Sequence, residues 1–405
     1  MYKSFAFQRN KRISMDSMTD IKFRYLLASR ALRSIALIYM SLAFSLYLVA
    51  LHISIINIGL VAAATMLFMI FLTMLLGYIG DWKGYKKEIV VAEAFAFLGA
   101  LIIGISTQSW LVIIGMIIAG LSGSAGGMRG AFSPGTNALI ASSYSDEQER
   151  VHKYSLITMV ASGAAIGGSI LFSSISFIEK SVGLVNAYRY LYIASALMLF
   201  VSLLFLLMLN EAKRPAKTTK LMKASSMKYS LRVITANALG GVGMGIFMPL
   251  LPLWFKLMYN ANTFEIGMIF TSVYISTAFG SYISSKIAQR FNAVNIASYT
   301  RLLSGVLLFA MAISPLIVIA GIIYVARALV AGFGSPSRTT VNVRGIDTED
   351  YGTATSVQGI ASRVAQLSSG ASGYAMDYAL PLPLFIGGLF QLASGISYKL
   401  LFKKK

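Results

Sequence analysis

The chain has 405 residues, a formal net charge of +20 and a mean hydropathy of +0.71, with 57% hydrophobic residues against 12% charged. A water-soluble chain of this length would carry roughly twice that charged fraction. A nucleic-acid binder would gather its basic residues on an aromatic-interleaved face outside the apolar runs, and the sequence has no such face. There is no cysteine, which excludes disulfides and thiolate metal sites. With His52 and His152 as the only histidines, neither a His-rich metal set nor a Ser–His–Asp order can be built. Neither an enzyme nor a resident cofactor or metal is expected.

The apolar runs are long and continuous, the pattern of bilayer-crossing helices rather than of the short alternating segments of a barrel. Residues 1–29 read as a cytoplasmic tail with Lys3, Arg9, Lys11, Arg12, Lys22 and Arg24, partly able to lie as an amphipathic helix on the membrane surface. Spans are predicted over residues 31–51, 55–79, 89–105, 110–142, 154–177 and 188–209, within a first bundle at 30–209. Residues 210–228 form a basic linker containing Pro215, the best domain boundary in the chain. A second bundle at 229–402 holds spans over 229–255, 264–287, 294–313, 316–341, 353–376 and 384–402, before a short tail at 403–405. Twelve spans put both termini on one side, and nearly all Lys and Arg fall there, with Lys180, Arg189 and Lys256 as the main exceptions. The positive-inside rule makes that side cytoplasmic. The expectation is an all-α, multi-pass plasma-membrane protein, functioning as a monomer.

The two halves echo each other. Phe132-Ser-Pro-Gly-Thr136 resembles Gly334-Ser-Pro-Ser-Arg338, and a shift of 202 positions takes Ser133 to Ser335, Glu147 to Glu349 and Gly168 to Gly370. Parallel repeats of this kind are a transporter architecture, with the substrate site between the halves.

The loop between spans two and three reads Gly77-x-x-x-Asp81-x-x-Gly84-x-Lys86-Lys87. Gly77 permits close helix approach, Gly84 a tight turn, and Asp81 can accept hydrogen bonds from a helix N-terminus in the opposite half. Lys86 and Lys87 hold the loop at the anionic inner leaflet. This loop, the twelve spans, the central linker and the Pro134 and Pro336 segments resemble the major facilitator superfamily over almost the whole chain. The resemblance implies a fold of two pseudo-symmetric six-helix bundles that rock in alternating access. It also implies that the Asp81 loop stabilises the outward-open state and controls the switch. The sequence departs from the family pattern at Trp82 and Tyr85, which replace its basic residues, and at Ala141-Ser-Ser-Tyr144, where a partner acid is common. In the second half, Gly280 to Arg290 keeps the glycine and lacks the Asp. Span seven, Gly240 to Pro252, is similar to the family's seventh helix, bent by small residues and prolines. Ala161 to Gly168 loosely resembles the fifth helix of drug antiporters without its Asp-Pro core.

A charge inside the membrane is expensive and points to function. Arg327 and Arg363 fall near mid-membrane and are the candidates to meet an anionic or carbonyl group, which suits a guanidinium fork. Arg129 and Arg338 lie nearer the inner end. Tyr39, Asn237, Tyr274, Gln358 and Gln366 are candidate cavity residues. Acids are scarce: Glu265 and Asp377 sit near outer ends, and Glu93, in span three, is the first-half candidate for proton coupling. His52 is an outer, interfacial histidine. The leading expectation is a secondary transporter of a small molecule in a lipid bilayer, coupled to protons or another ion and exporting drug-like compounds. The alternatives are uptake or exchange of an organic anion or metabolite, favoured by the arginines, and a non-transporting membrane sensor or scaffold.

Overall fold

In hydrocarbon, backbone N–H and C=O groups must be satisfied within their own segment, so apolar runs of this length fold as helices. The computed structural model describes residues 20–122, 132–144, 147–211, 222–287, 291–347 and 350–402, and these are helical with no strand among them. The first half contains α1 (Asp20–Ala50), α2 (Ile55–Lys83), α3 (Tyr85–Ile105), α4 (Ser109–Ala119), α5 (Phe132–Ser143), α6 (Glu147–Ser173), a short α7 (Ile175–Val182) and α8 (Leu184–Leu207). The second contains α9 (Ala224–Phe247), α10 (Leu251–Tyr259), α11 (Thr263–Ile287), α12 (Ala293–Ala312), α13 (Ile317–Val343), α14 (Tyr351–Ala365), α15 (Ser372–Tyr378) and α16 (Leu382–Leu401). Among the described residues, ten helices are long and apolar enough to cross a bilayer. The predicted fourth span corresponds to α4 and α5, which flank residues 123–131 outside the described set. The predicted eleventh is a composite rod in which a 3-10 segment, Gln366–Ala371, joins α14 to α15.

Three boundaries differ from the apolar pattern, each for a local reason. Helix α1 begins at Asp20, about three turns before the apolar run, because Phe23 and Leu26 are buried against the first half. Helix α3 begins at Tyr85, so Glu93 lies two turns inside it rather than one. The predicted seventh span breaks between Phe247 and Leu251, where Pro249 cannot continue the ladder, giving α9 and α10.

The halves repeat one packing scheme. In the first, α1 packs on α6 and α8, and α3 on α8 and α4; in the second, α9 packs on α14 and its 3-10 extension and on α16, and α12 on α16 and α13. Across the halves, α2 meets the 3-10 segment and α15, and α6 meets α11. Pro336 inside α13 has no N–H to give the carbonyl of Gly332, and Ser281 Oγ of α11 donates to that oxygen instead at 3.1 Å.

The two ends of the molecule differ. At the end away from the termini, one apolar core runs through both halves, from Leu48 and Ile58 to Trp254, Phe270 and Met376. Polar and glycine contacts close the seam there. Thr271 Oγ1 donates to Ser169 Oγ at 2.8 Å, Ser176 and Thr263 share a 2.6 Å hydroxyl contact, and a Cβ at Gly59 would stand 2.7 Å from Gly373 N. At the termini end each half keeps a separate core, Leu72 with Tyr144 in one and Val294 with Tyr398 in the other. A Cβ at Gly77 or Gly359, toward this end, would meet nothing within 4 Å. The bundles are joined far from the termini and parted near them.

Candidate functional site

Helix α13 places Tyr324, Arg327, Ala328, Ala331, Ser335, Arg338 and Asn342 at spacings of three and four, so they share one face. That face lines a cavity of about 660 Å³ whose described walls all belong to the second half. Helix α9 supplies Asn237, Gly240 and Met244; α11 supplies Phe270 and Tyr274; α12 supplies Arg301 and Ser304; α14 and its extension supply Gln358, Ser362 and Gln366; α16 supplies Gln391. It reaches from Thr355 and Val343 at the termini end to Met248 and Phe270 toward the far end. Three arginines line it, and no Asp or Glu does among the described residues.

The arginines are held to different degrees. Arg338 donates through Nη2 to Ala331 O at 2.8 Å and approaches Thr300 Oγ1 at 3.5 Å. Arg301 donates through Nη1 to Gln391 Oε1 at 2.7 Å, and Gln391 is fixed in turn by a 3.2 Å bond to Gly240 O. Gly240 makes room for this, since a Cβ there would lie 2.8 Å from Arg301 Cζ. Arg327 is 6% exposed, and among the described residues its only hydrogen-bond acceptor is the Met244 sulfur at 3.5 Å. Its guanidinium rests 4.9 Å from the Phe247 ring centroid and 5.8 Å from that of Tyr324. Nε of Arg301 and Nε of Arg327 are buried without a hydrogen-bond partner.

Five of the seven predicted cavity residues line this space: Arg327, Asn237, Tyr274, Gln358 and Gln366. Asn237 is ordered by Asn342, to which its Nδ2 donates at 3.0 Å, and by Tyr398 Oη, which donates to its Oδ1 at 2.7 Å. Gln358 donates to Asn342 O at 3.2 Å, and Gln366 to Ser362 O at 3.1 Å. The other two do not line it. Tyr39 is fully buried in the first-half core, donating to Tyr188 O at 3.2 Å and packing on Tyr192. Residues 36–48 of helix α1 are buried throughout, so a polar side chain there faces neighbouring helices rather than an open cavity. Arg363 points across the seam, where Nη1 donates to Thr73 Oγ1 of α2 at 2.7 Å.

Glu93 lies outside the cavity. It is buried in the first half, ion-paired with Arg33 and accepting from Ser202 Oγ. Arg33 and Arg30 stack over Phe132, with Cζ to ring-centroid distances of 4.4 and 5.5 Å. In the predicted switch loop, Gly84 has φ +102°, a conformation that excludes a Cβ at little cost only for glycine. The chain turns there so that Glu211, just past α8, accepts from Tyr85 N at 3.0 Å and Lys86 N at 2.8 Å, while Lys86 Nζ reaches Leu207 O at 2.8 Å. Lys87 is exposed and Gly77 faces open space. The side chain of Asp81, and all of Arg129, lie outside the described residues.

Sequence analysis does not single out Arg301, Arg33, Arg30 or Glu211. The first two sit inside the predicted spans 294–313 and 31–51, so the rule that flagged Arg327 also applies to them. Glu211 carries no local signal, because its partners are 125 and 126 residues away.

Residues 26–370 match the Major Facilitator Superfamily, and the chain belongs to that family of membrane transporters. Solved structures share the fold. The chain is similar to an auto-inhibited POT family peptide transporter, with a TM-score of 0.75 and 11% identity over 95% of this chain and 97% of that one. It is similar also to a D-xylose–proton symporter, at 0.70 and 14% over 95% and 98%, and to the nucleoside transporter NupG, at 0.69 and 14% over 94% and 100%. No curated protein matches the sequence. The protein is thus a multi-pass membrane protein with the family and fold of small-molecule transporters.

Proposed function

We propose that this transporter carries an organic anion, bound in the second-half cavity and exposed alternately to the two sides of the membrane. The observation that carries this reading is Arg327: a buried guanidinium facing a cavity, with, among the described residues, a sulfur as its only acceptor and no carboxylate in the wall. A charge removed from water without a partner is costly, and a ligand anion supplies the missing partner. Arg301 and Arg338 add positive potential in the same space. The hydroxyl and amide lining, with Tyr274 and Phe270, suits an organic body rather than a bare ion.

Proton-driven export of cationic drugs is disfavoured by the same wall, which would repel such a substrate. Glu93 already has its counter-ion in Arg33, so it serves the first half's internal packing in this state. The separation of the bundles at the termini end supports a state open to that side, and the excess of Lys and Arg there supports its being cytoplasmic, in the plasma membrane. The loop from Gly77 to Lys87 retains its proposed switch role, supported by the open space at Gly77, where a Cβ would meet nothing within 4 Å.

The test is counterflow in proteoliposomes preloaded with mixed carboxylates and organic phosphates, compared with cationic dyes under an imposed pH gradient. Anion exchange that disappears in Arg327→Gln is the expected result. Dye transport that survives in that variant, without anion exchange in the wild type, would overturn the reading.

A further inference from the structure

The cavity holds more positive charge than one carboxylate can balance, and its cations are placed at successive depths. At about 1.5 Å per helical residue, Arg338 lies about 8 Å from the termini end of α13 at Val343, and Arg327 about 24 Å. Arg301 lies about 12 Å from the termini end of α12 at Ala293. All three line the same cavity.

The three are not equivalent as ligands. Arg338 bonds Ala331 O and Thr300 Oγ1 and, among the described residues, leaves no buried nitrogen unpaired. Arg301 is half committed, with Nη1 on Gln391 and Nε unpaired. Arg327 has Nε unpaired and only sulfur at Nη2. Two guanidiniums therefore retain buried, unpaired donors in one cavity that has no described acid in its wall.

Resting on the anion reading above, we infer that the substrate carries two negative charges, one set against Arg327 and one against Arg301, as in a dicarboxylate or a phosphate monoester dianion. A monoanion would leave two of the three guanidiniums uncompensated; a dianion leaves only Arg338, which has the carbonyl of Ala331. Gln391 and Gly240 act as positioning residues, because together they fix the direction in which Arg301 presents Nε.

The experiment is titration of the purified full-length protein, reconstituted in nanodiscs, with lactate, succinate, glycerol phosphate and uncharged glycerol at equal ionic strength. At least one dianion is expected to bind about tenfold or more tightly than lactate, with glycerol not binding. If glycerol phosphate is that ligand, its affinity falls as pH drops below about 6, where its second proton returns, while that of lactate holds. Arg301→Gln is expected to narrow the dianion-to-monoanion ratio to about twofold, and Arg301→Lys to restore part of it. The wild-type series stands by itself should Arg301→Gln fold poorly. Lactate binding as tightly as both dianions would sink the two-charge inference and leave the anion reading intact. Absence of binding by every anion would sink both.

Discussion

Arg327 and Glu93 are both buried charges in the same protein, and their surroundings give them opposite roles. Glu93 has a cation and a hydroxyl within bonding distance and is part of how the first half packs. Replacing one partner of such a pair strands the other, so Glu93→Gln is expected to lower stability by about 3 kcal/mol, read as a lower thermal midpoint in detergent. Arg327 has no such partner. Arg327→Met, which fills similar volume beside Met244 and Phe247, is expected to stabilise the unliganded protein by about 1–3 kcal/mol, read as a higher midpoint, while abolishing transport. A destabilised Arg327→Met protein would mean that the guanidinium is structural.

At the scale of elements, the switch loop is governed by a residue outside it. Glu211 caps the first turn of α3 from the end of α8, and Gly84 gives the carboxylate room, since a Cβ there would lie 2.7 Å from Glu211 Oε2. Glu211→Ala is expected to cost about 1–2 kcal/mol, and Gly84→Ala at least as much through its φ of +102°. Both should slow turnover more than they weaken substrate binding, a split that kcat and KM measured in proteoliposomes would show. The rod of α14, the 3-10 segment and α15 is the second mobile candidate. A 3-10 stretch has poorer hydrogen-bond geometry than an α-helix, and this one lies where α2 crosses from the other half.

On the scale of the whole molecule, the shared core at the far end and the separate cores at the termini end define one state of a rocking pair. The absence of cysteine makes this directly testable. Ser169→Cys with Thr271→Cys, whose hydroxyls stand 2.8 Å apart, is expected to cross-link under oxidant and to stop transport until reduced. A pair at Gly77 and Gly359 should cross-link only when the termini side closes, and so should become protected by whatever ligand favours the present state. Cross-linking at Ser169 and Thr271 without loss of transport would show that the far end does not need to open there.

The sequence alone determined the membrane class, the two matched halves and the family, because bilayer thickness, the positive-inside rule and loop chemistry act locally along the chain. It also placed Arg327, Asn237, Tyr274, Gln358 and Gln366 among the cavity candidates, since a polar residue in an apolar run is visible one position at a time. Only the tertiary structure decided which polar residues face a cavity and which face a partner. Tyr39 and Glu93 turn inward to Tyr188 and Arg33, and Arg363 crosses to Thr73, while Arg301 joins Arg327 and Arg338 from another helix. The physical reason is that a buried charge is given its role by what stands opposite it, and those neighbours come from segments tens to hundreds of residues away.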